Sequence, residues 1–275
     1  MSIFAVLDDP NIDHNLLIKV MACPSFNKNN IDSVVLTRNT LDKEGEYLIN
    51  LLEEKSISLF LSHDTGQFAN GTMNTIDLQW LTETVQKYPS INGIRIKSFI
   101  DNIINIPTVL KQQITYCRLF GAFSKIPVLD IEFPSDVLNK GEVEYHFSSA
   151  AKIMIDEMDT GVFLRLSMPT QYNLYPELAK SINVVRLMAN EQNYSRGVAV
   201  RKLSQSLLMS CSFSSLILDN LSADMDTELI NKGLQNNIDE YLSAVNNNHE
   251  LYKELLLSPE QEPDSQKTVD NKVET

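Results

Sequence analysis

Charged side chains interrupt three otherwise apolar runs of the sequence, at Arg95 and Lys97, at Asp130 and Glu132, and at Arg165. In IRIKS, DIE and FLRLS these charges alternate with hydrophobic residues, as in a β-strand whose two faces differ. A charge on a buried face must find a partner or lose its ionisation. The pattern predicts a polar pocket in which arginine and lysine oppose carboxylates, suited to an anionic ligand or to proton transfer. The alternative is an internal ion-pair network without a substrate.

Short β-branched and aliphatic runs supply the strands that would position these charges. They lie at 2–8, 32–37, 56–64, 92–98, 126–132, 161–167, 183–189 and 214–222. Stretches with helical spacing separate them, such as those at 43–54, 75–88, 103–120, 147–158 and 195–209. An alternation of strand and helix repeated eight times predicts an α/β fold, a single-domain (β/α)8 TIM barrel. A doubly wound open sheet is the alternative.

The domain bounds follow from the last fifth of the chain. A polar-faced helix is expected from residue 222 to about 257, which makes 1–257 the barrel with its C-terminal helix. Residues 258–275 contain almost no apolar side chains, and we expect them to form a disordered acidic tail.

The functional side chains of such a barrel project from the C-terminal ends of its strands. The strand ends place eleven polar residues there: Asp8, Arg38, His63, Asp64, Arg95, Lys97, Asp130, Glu132, Arg165, Arg186 and Asp219.

Composition excludes several classes of function. With 23 Lys and Arg against 36 Asp and Glu, the net charge is −13, so neither nucleic acid nor an anionic membrane is expected as a partner. Only 9 of 275 residues are glycine, and the sequence contains neither a P-loop nor GxGxxG nor GxSxG, which argues against nucleotide binding and serine hydrolysis.

Metal, redox and targeting signals are also missing from the sequence. Four separated histidines give no metal-ligand spacing, and we expect neither a metal nor another cofactor. Three distant cysteines form no disulfide framework, which favours the reducing cytoplasm. We expect neither an export signal nor a membrane helix.

Three blocks of the sequence resemble the class I fructose-bisphosphate aldolases of the short bacterial type. They are ACPSFNKNNI at 22–31, MPTQYNLYPELAKSINVVR at 168–186 and YSR at 194–196. Weaker similarities follow in the same order at FAVLD, FLSHDTG and IPVLDIE. The resemblance covers about residues 3–245 and implies the (β/α)8 barrel.

The family cleaves fructose 1,6-bisphosphate through a Schiff base on a lysine of the sixth strand. The resemblance implies catalytic positions at Asp8, Arg95, Lys97, Asp130, Glu132 and Arg165, and substrate binding at Asp64 and Arg186. The nucleophilic lysine is replaced by Arg165, whose guanidinium stays protonated and cannot act as the amine. NEQN at 190–193 replaces the glycine-containing phosphate loop, and Ser215 replaces a phosphate-binding arginine.

These departures lead to two principal hypotheses. The first is a catalytically silent aldolase relative that binds a small anionic metabolite such as a sugar phosphate through Arg95 and Arg165, or that acts through a protein partner or as a homo-oligomer. The second is an active fructose-bisphosphate aldolase, a glycolytic lyase, that uses a relocated lysine such as Lys97. A protein decaying from an enzyme ancestor is the third reading.

Overall fold

Eight parallel strands form a barrel in the computed structural model, which describes residues 2–7, 12–62, 75–191, 194–213 and 215–257. Each strand pairs with the next along the chain, in the order β1 to β8. The strands are Ile3–Val6 (β1), Ile31–Thr37 (β2), Ser58–Ser62 (β3), Ile91–Phe99 (β4), Ile126–Glu132 (β5), Val162–Ser167 (β6), Val184–Asn190 (β7) and Ser210–Cys211 (β8). The amide of Val6 donates to the carbonyl of Phe213 at 3.2 Å and so links β1 to the chain that leaves β8. The predicted TIM barrel is confirmed.

Helices cover the outside of the barrel. They are His14–Ala22 (α1), Arg38–Glu54 (α2), Thr75–Lys87 (α3), Ile106–Ala122 (α4), Lys140–Asp156 (α5), Pro176–Ala179 (α6), Arg196–Gln205 (α7) and Thr227–Leu257 (α8). Helix α1 has a side-chain cap at its N-terminus. The carboxylate of Asp13 accepts a hydrogen bond from the backbone amide of Asn15 at 2.8 Å. Within the described part of the chain, no helix combines the length and apolar character needed to cross a membrane.

Aromatic rings fill the middle of the barrel. Phe4 meets Phe60 edge to face, with ring centroids 5.0 Å apart, and lies 5.9 Å from Phe163. Val128 and Met188 complete this apolar layer. Gly93 on β4 makes room for it, because a Cβ at this position would lie 2.4 Å from the ring of Phe60 and 2.1 Å from the carbonyl oxygen of Ile126. This apolar layer, which we call the aromatic floor, lies below the polar groups, and those groups are nearer the C-terminal ends of the strands.

Strand alternation places the charges above this floor. On β4, Ile94 and Ile96 are fully buried in the layer between the sheet and the helices, whereas Arg95 and Lys97 point to the inside of the barrel. The register sets Lys97 beside Asp130, and Asp130 beside Arg165. The alternation of charged and apolar residues along these strands therefore predicts which side chains meet inside the barrel.

The strand predicted at 214–222 is wrong. The eighth strand is the two-residue β8, and the apolar run that follows it forms a turn of 3-10 helix at Ser215–Leu218. Side chains of α8 bind the carbonyls of that run: Asn237 donates to Ile217 at 3.0 Å, and the hydroxyl of Tyr241 donates to Leu216 at 2.7 Å. The run is thus buried beneath α8, outside the sheet.

Candidate functional site

Two arginines share one carboxylate oxygen inside the barrel. Nε and Nη2 of Arg95 both lie 2.6 Å from Oδ2 of Asp130, and Nη1 of Arg165 lies 2.9 Å from the same atom. The three side chains are between 0% and 2% exposed. We call Arg95, Asp130 and Arg165 the buried cluster.

The remaining nitrogens of Arg165 also contact protein atoms. Nε donates to Oγ of Ser212 at 2.9 Å, and Nη2 donates to Oδ1 of Asn190 at 2.9 Å and to the carbonyl of Ser212 at 3.1 Å. A carboxylate oxygen of Glu191 lies 3.5 Å from Nη2. Each nitrogen of the guanidinium therefore has a partner within the protein, and the side chain is held in one orientation.

Electrostatics keep Asp130 ionised. Burial by itself would raise its pKa, but the charges of Arg165, Arg95 and Lys97 act in the opposite direction and hold the pKa of this carboxyl below its ordinary value. The second oxygen of Asp130, Oδ1, is buried and accepts no hydrogen bond from the described residues. The buried cluster therefore combines one carboxylate with two guanidinium ions.

A second ion pair lies above the buried cluster and reaches solvent. Nζ of Lys97 is 3.0 Å from Oε1 of Glu132, and the side-chain amide Nδ2 of Asn190 donates to the same oxygen at 2.8 Å. Both charged side chains are 20% exposed, in contrast to the buried arginines below them. We call Lys97, Glu132 and Asn190 the mouth triad. It offers a cation and a carboxylate to a molecule entering the barrel, while the buried Asn190 holds the carboxylate of Glu132 in place.

The structure brings together five of the predicted site residues and separates Arg186 from them. Arg186 is the third residue of β7, near the N-terminal end of the strand, and its placement at the C-terminal end was wrong. Its Nη1 lies 2.8 Å and 2.9 Å from the two carboxylate oxygens of Asp32, and Nη2 donates to the carbonyl of Ser2. The predicted run at 183–189 nearly coincides with β7, so Arg186 lies in the first half of the strand, and Asn190 lies at its C-terminal end.

The other predicted residues lie away from the mouth triad or outside the described parts of the chain. Asp8, His63 and Asp64 fall outside the described residues. Arg38 begins α2, where it pairs with Asp42 at 3.6 Å and stacks over Trp80. Asp219 follows the 3-10 turn beneath α8 and presents its carbonyl to Asn237 at 3.1 Å.

Sequence reasoning missed Asn190 and Ser212, both of which hold Arg165. Asn190 was detectable, because it continues the alternation of Arg186 and Met188 on the inner face of β7. Ser212 follows a strand of only two residues, which gives no periodicity to read. Among the described residues, no group of three or more His, Cys, Asp or Glu side chains is placed to bind a metal ion.

Comparisons with known proteins support the fold. No family model matches the sequence. The structure is similar to a fructose-bisphosphate aldolase from Slackia heliotrinireducens, with a TM-score of 0.54 and 12% identity over 90% of this chain and 86% of that chain. It also matches a xylose isomerase-like TIM barrel/4-hydroxyphenylpyruvate dioxygenase fusion protein, with a TM-score of 0.47 and 8% identity. This second match covers 94% of the present chain but spans only 45% of the fusion protein. The chain therefore shares the barrel fold of the Slackia aldolase.

Proposed function

We propose that this barrel binds a small anionic metabolite of the sugar-phosphate class at the mouth triad and that it forms no Schiff base at position 165. The proposal combines the sequence resemblance to class I aldolases with the different environments of the basic residues inside the barrel. It assigns the anion to Lys97, and it gives Arg165 a structural role.

The single observation that carries the proposal is the contrast in exposure between Lys97 and the two arginines. Arg95 and Arg165 are 1% and 2% exposed and both bind Asp130, whereas Lys97 is 20% exposed beside Glu132. An incoming anion would have to displace Asp130 to reach either guanidinium. The ammonium of Lys97 is partly open to solvent, so an anion can approach it without entering the buried cluster. Glu132, which Asn190 holds by a hydrogen bond, can accept hydrogen bonds from ligand hydroxyls.

Schiff-base formation requires a neutral amine that attacks the substrate carbonyl. The guanidinium group of Arg165 lacks the nucleophilicity of an amine and cannot take this role. Its contacts with Asp130, Ser212 and Asn190 further hold it in one orientation. Position 165 therefore serves the stability of the barrel interior in this proposal.

Isothermal titration with dihydroxyacetone phosphate and with fructose 1,6-bisphosphate tests the binding. We expect saturable binding of at least one ligand, and Lys97→Gln should weaken it about tenfold or more, because a charged hydrogen bond is lost. Lys152→Gln is the matched control, since Lys152 also forms an ion pair, at 2.8 Å to Asp156, but on the outside of α5. Absence of binding to the unaltered protein, or equal affinity in Lys97→Gln, would overturn the proposal.

One observation favours a second candidate, a carbon–carbon lyase that uses Lys97. Lys97 is a partly exposed amine on an inner strand face, 3.0 Å from a carboxylate that is able to receive and return its proton. In that case borohydride would trap the substrate on Lys97, and Lys97→Met would abolish both the adduct and turnover. Unchanged turnover in Lys97→Met would eliminate this candidate.

A further inference from the structure

A cavity of about 720 Å³ opens on the outer wall of the barrel, away from the mouth triad. It lies between the segment that follows β6, the C-terminal end of α7 and the C-terminal end of α8. Its wall includes Thr170, Tyr172, Lys202, Gln205, Leu251 and Leu255. A volume of this size is within the range of about 300–1,000 Å³ that is usual for small-molecule sites.

The cavity exists because the sixth helix is very short. α6 has only four residues, Pro176–Ala179, whereas α5 before it has 17. Pro169 and Pro176 bracket the intervening segment, and the residue before a proline is disfavoured in a helical conformation. The segment therefore crosses the barrel wall in an irregular path and leaves space that a longer helix would fill.

A buried carboxylate fixes the polar side of the cavity. Oε2 of Glu144 on α5 accepts from the amide of Thr170 at 2.9 Å and from its hydroxyl at 2.6 Å. The side chain of Glu144 is fully buried, and Nζ of Lys140 lies 3.9 Å from its other oxygen. Burying a carboxylate is costly unless it is bonded, so this arrangement holds Thr170 in a defined position. The wall is organised before any ligand arrives, which lowers the entropic cost of binding.

The lining of the cavity contains a basic side chain. Among the described residues that line it, Lys202 alone carries a charge, although the chain as a whole has a net charge of −13. Burial raises the pKa of Glu144, and the bonds from Thr170 and the charges of Lys140 and Lys202 oppose that rise. Lys140 and Lys202 therefore both act on the carboxylate of Glu144, and Lys202 also lines the cavity.

The other side of the cavity is apolar. Leu251 and Leu255 lie one helical turn apart on α8, and Tyr172 faces them from the segment after β6. Tyr172 is 52% exposed and Leu255 is 45% exposed, so hydrophobic surface remains open to solvent at the rim. We infer that this cavity binds an amphipathic organic anion, with its acidic group on Lys202 and its apolar or aromatic body against Tyr172, Leu251 and Leu255.

Two fluorescent probes with the same ring system test the charge requirement. 8-Anilinonaphthalene-1-sulfonate carries the anionic group, and N-phenyl-1-naphthylamine lacks it. The folded protein should bind the sulfonate saturably, and Lys202→Gln should weaken this binding about tenfold while leaving the affinity for the neutral probe unchanged. Lys253→Gln is the matched control, because Lys253 lies on α8 between Leu251 and Leu255 but pairs with Glu250 at 2.7 Å and does not line the cavity.

Further variants locate the binding and test for other occupants. Leu255→Trp should fill the cavity and reduce the binding of both probes, whereas Lys97→Gln should leave both affinities unchanged and so separate this cavity from the mouth triad. Thermal unfolding of each variant, recorded without probe, checks that the fold is retained. Equal affinity of the sulfonate for Lys202→Gln and the unaltered protein would overturn the inference. So would the absence of saturable binding, or unchanged binding of both probes by Leu255→Trp.

Discussion

Nη1 of Arg165 lies 2.9 Å from Oδ2 of Asp130, on the neighbouring strand and in register with it. The same oxygen binds Arg95, so one carboxylate neutralises parts of two guanidinium ions inside the barrel. A lysine in place of Arg165 would present a single nitrogen and could not reach Asp130, Asn190 and Ser212 together in the same planar arrangement. Arginine at this position therefore completes a buried polar network that an amine would leave partly unsatisfied.

Asp130→Asn should destabilise the fold strongly. The substitution keeps the volume of the side chain but removes the charge that Arg95 and Arg165 share, and breaking a buried ion pair in this way costs about 3–5 kcal/mol. Urea denaturation measures the change in the free energy of unfolding. Asp42→Asn is the matched control, since Asp42 pairs with Arg38 at 3.6 Å on the surface and should change that free energy by less than about 1 kcal/mol. A loss in Asp130→Asn as small as in the control would show that the buried cluster does not stabilise the barrel.

Glu144→Gln should become more stable relative to the unaltered protein as the pH rises. Burial raises the pKa of Glu144 above its ordinary value of 4.5, so the folded chain takes up this proton more readily than the unfolded chain. The stabilising contribution is complete below the ordinary pKa and is lost as the pH rises through the raised pKa. Glutamine does not titrate and avoids that loss.

Urea denaturation at about pH 4 and about pH 7 measures the difference between the two proteins. Glu142→Gln controls for the removal of one acidic charge, because Glu142 is exposed on the same helix. A stability difference between Glu144→Gln and the unaltered protein that is equal at the two pH values would contradict the expected titration.

Glycine to alanine should have opposite effects at positions 93 and 197. At Gly93 the added methyl group would lie 2.1 Å from a backbone oxygen and 2.4 Å from Phe60, so we expect a loss of at least about 2 kcal/mol in the free energy of unfolding. At Gly197 the methyl group meets no atom within 4 Å, and alanine in α7 should increase that free energy by about 0.5 kcal/mol. Thermal unfolding of the two variants distinguishes these outcomes. A Gly93→Ala variant as stable as the unaltered protein would mean that the aromatic floor does not pack tightly against Gly93.

Arg186→Gln should weaken the fold and leave metabolite affinity unchanged. Arg186 binds both oxygens of Asp32 at the end of the barrel opposite the mouth triad, and the loss of these charged hydrogen bonds should cost about 1–3 kcal/mol. A double-mutant cycle with Asp32→Asn measures the coupling between the two side chains. If Arg186→Gln weakened sugar-phosphate binding without loss of stability, this result would support the substrate-binding role that the resemblance to aldolases implies for Arg186.

The sequence carries most of the information about this barrel. Seven of the eight strands follow from their apolar runs, because each run has the length of a strand and lies between helical stretches. The eighth does not, since β8 has two residues and the longer apolar run after it is buried under α8. The position of β8 therefore depends on how α8 packs against the run that follows this strand, and the local sequence does not show that packing.

The candidate site was predictable only in part. Alternation along β4, β5 and β6 places Arg95, Asp130 and Arg165 inside the barrel, and the strand register brings them into contact. Their degree of burial is not encoded in that alternation, because it depends on the depth of each residue within the barrel. The division between a buried cluster and an open Lys97–Glu132 pair therefore emerges only from the three-dimensional arrangement.

Borohydride reduction in the presence of dihydroxyacetone phosphate, followed by intact-protein and peptide mass spectrometry, shows whether the barrel binds its ligand without forming a Schiff base. An Arg165→Lys variant treated in parallel shows whether a lysine at this position is able to react. An adduct in that variant alone would mean that the pocket still admits the ligand and that only the nucleophile differs. We expect no lysine adduct on the unaltered protein at ligand concentrations that saturate it in titration. An adduct on Lys97, or on any other lysine of the unaltered protein, would contradict this expectation.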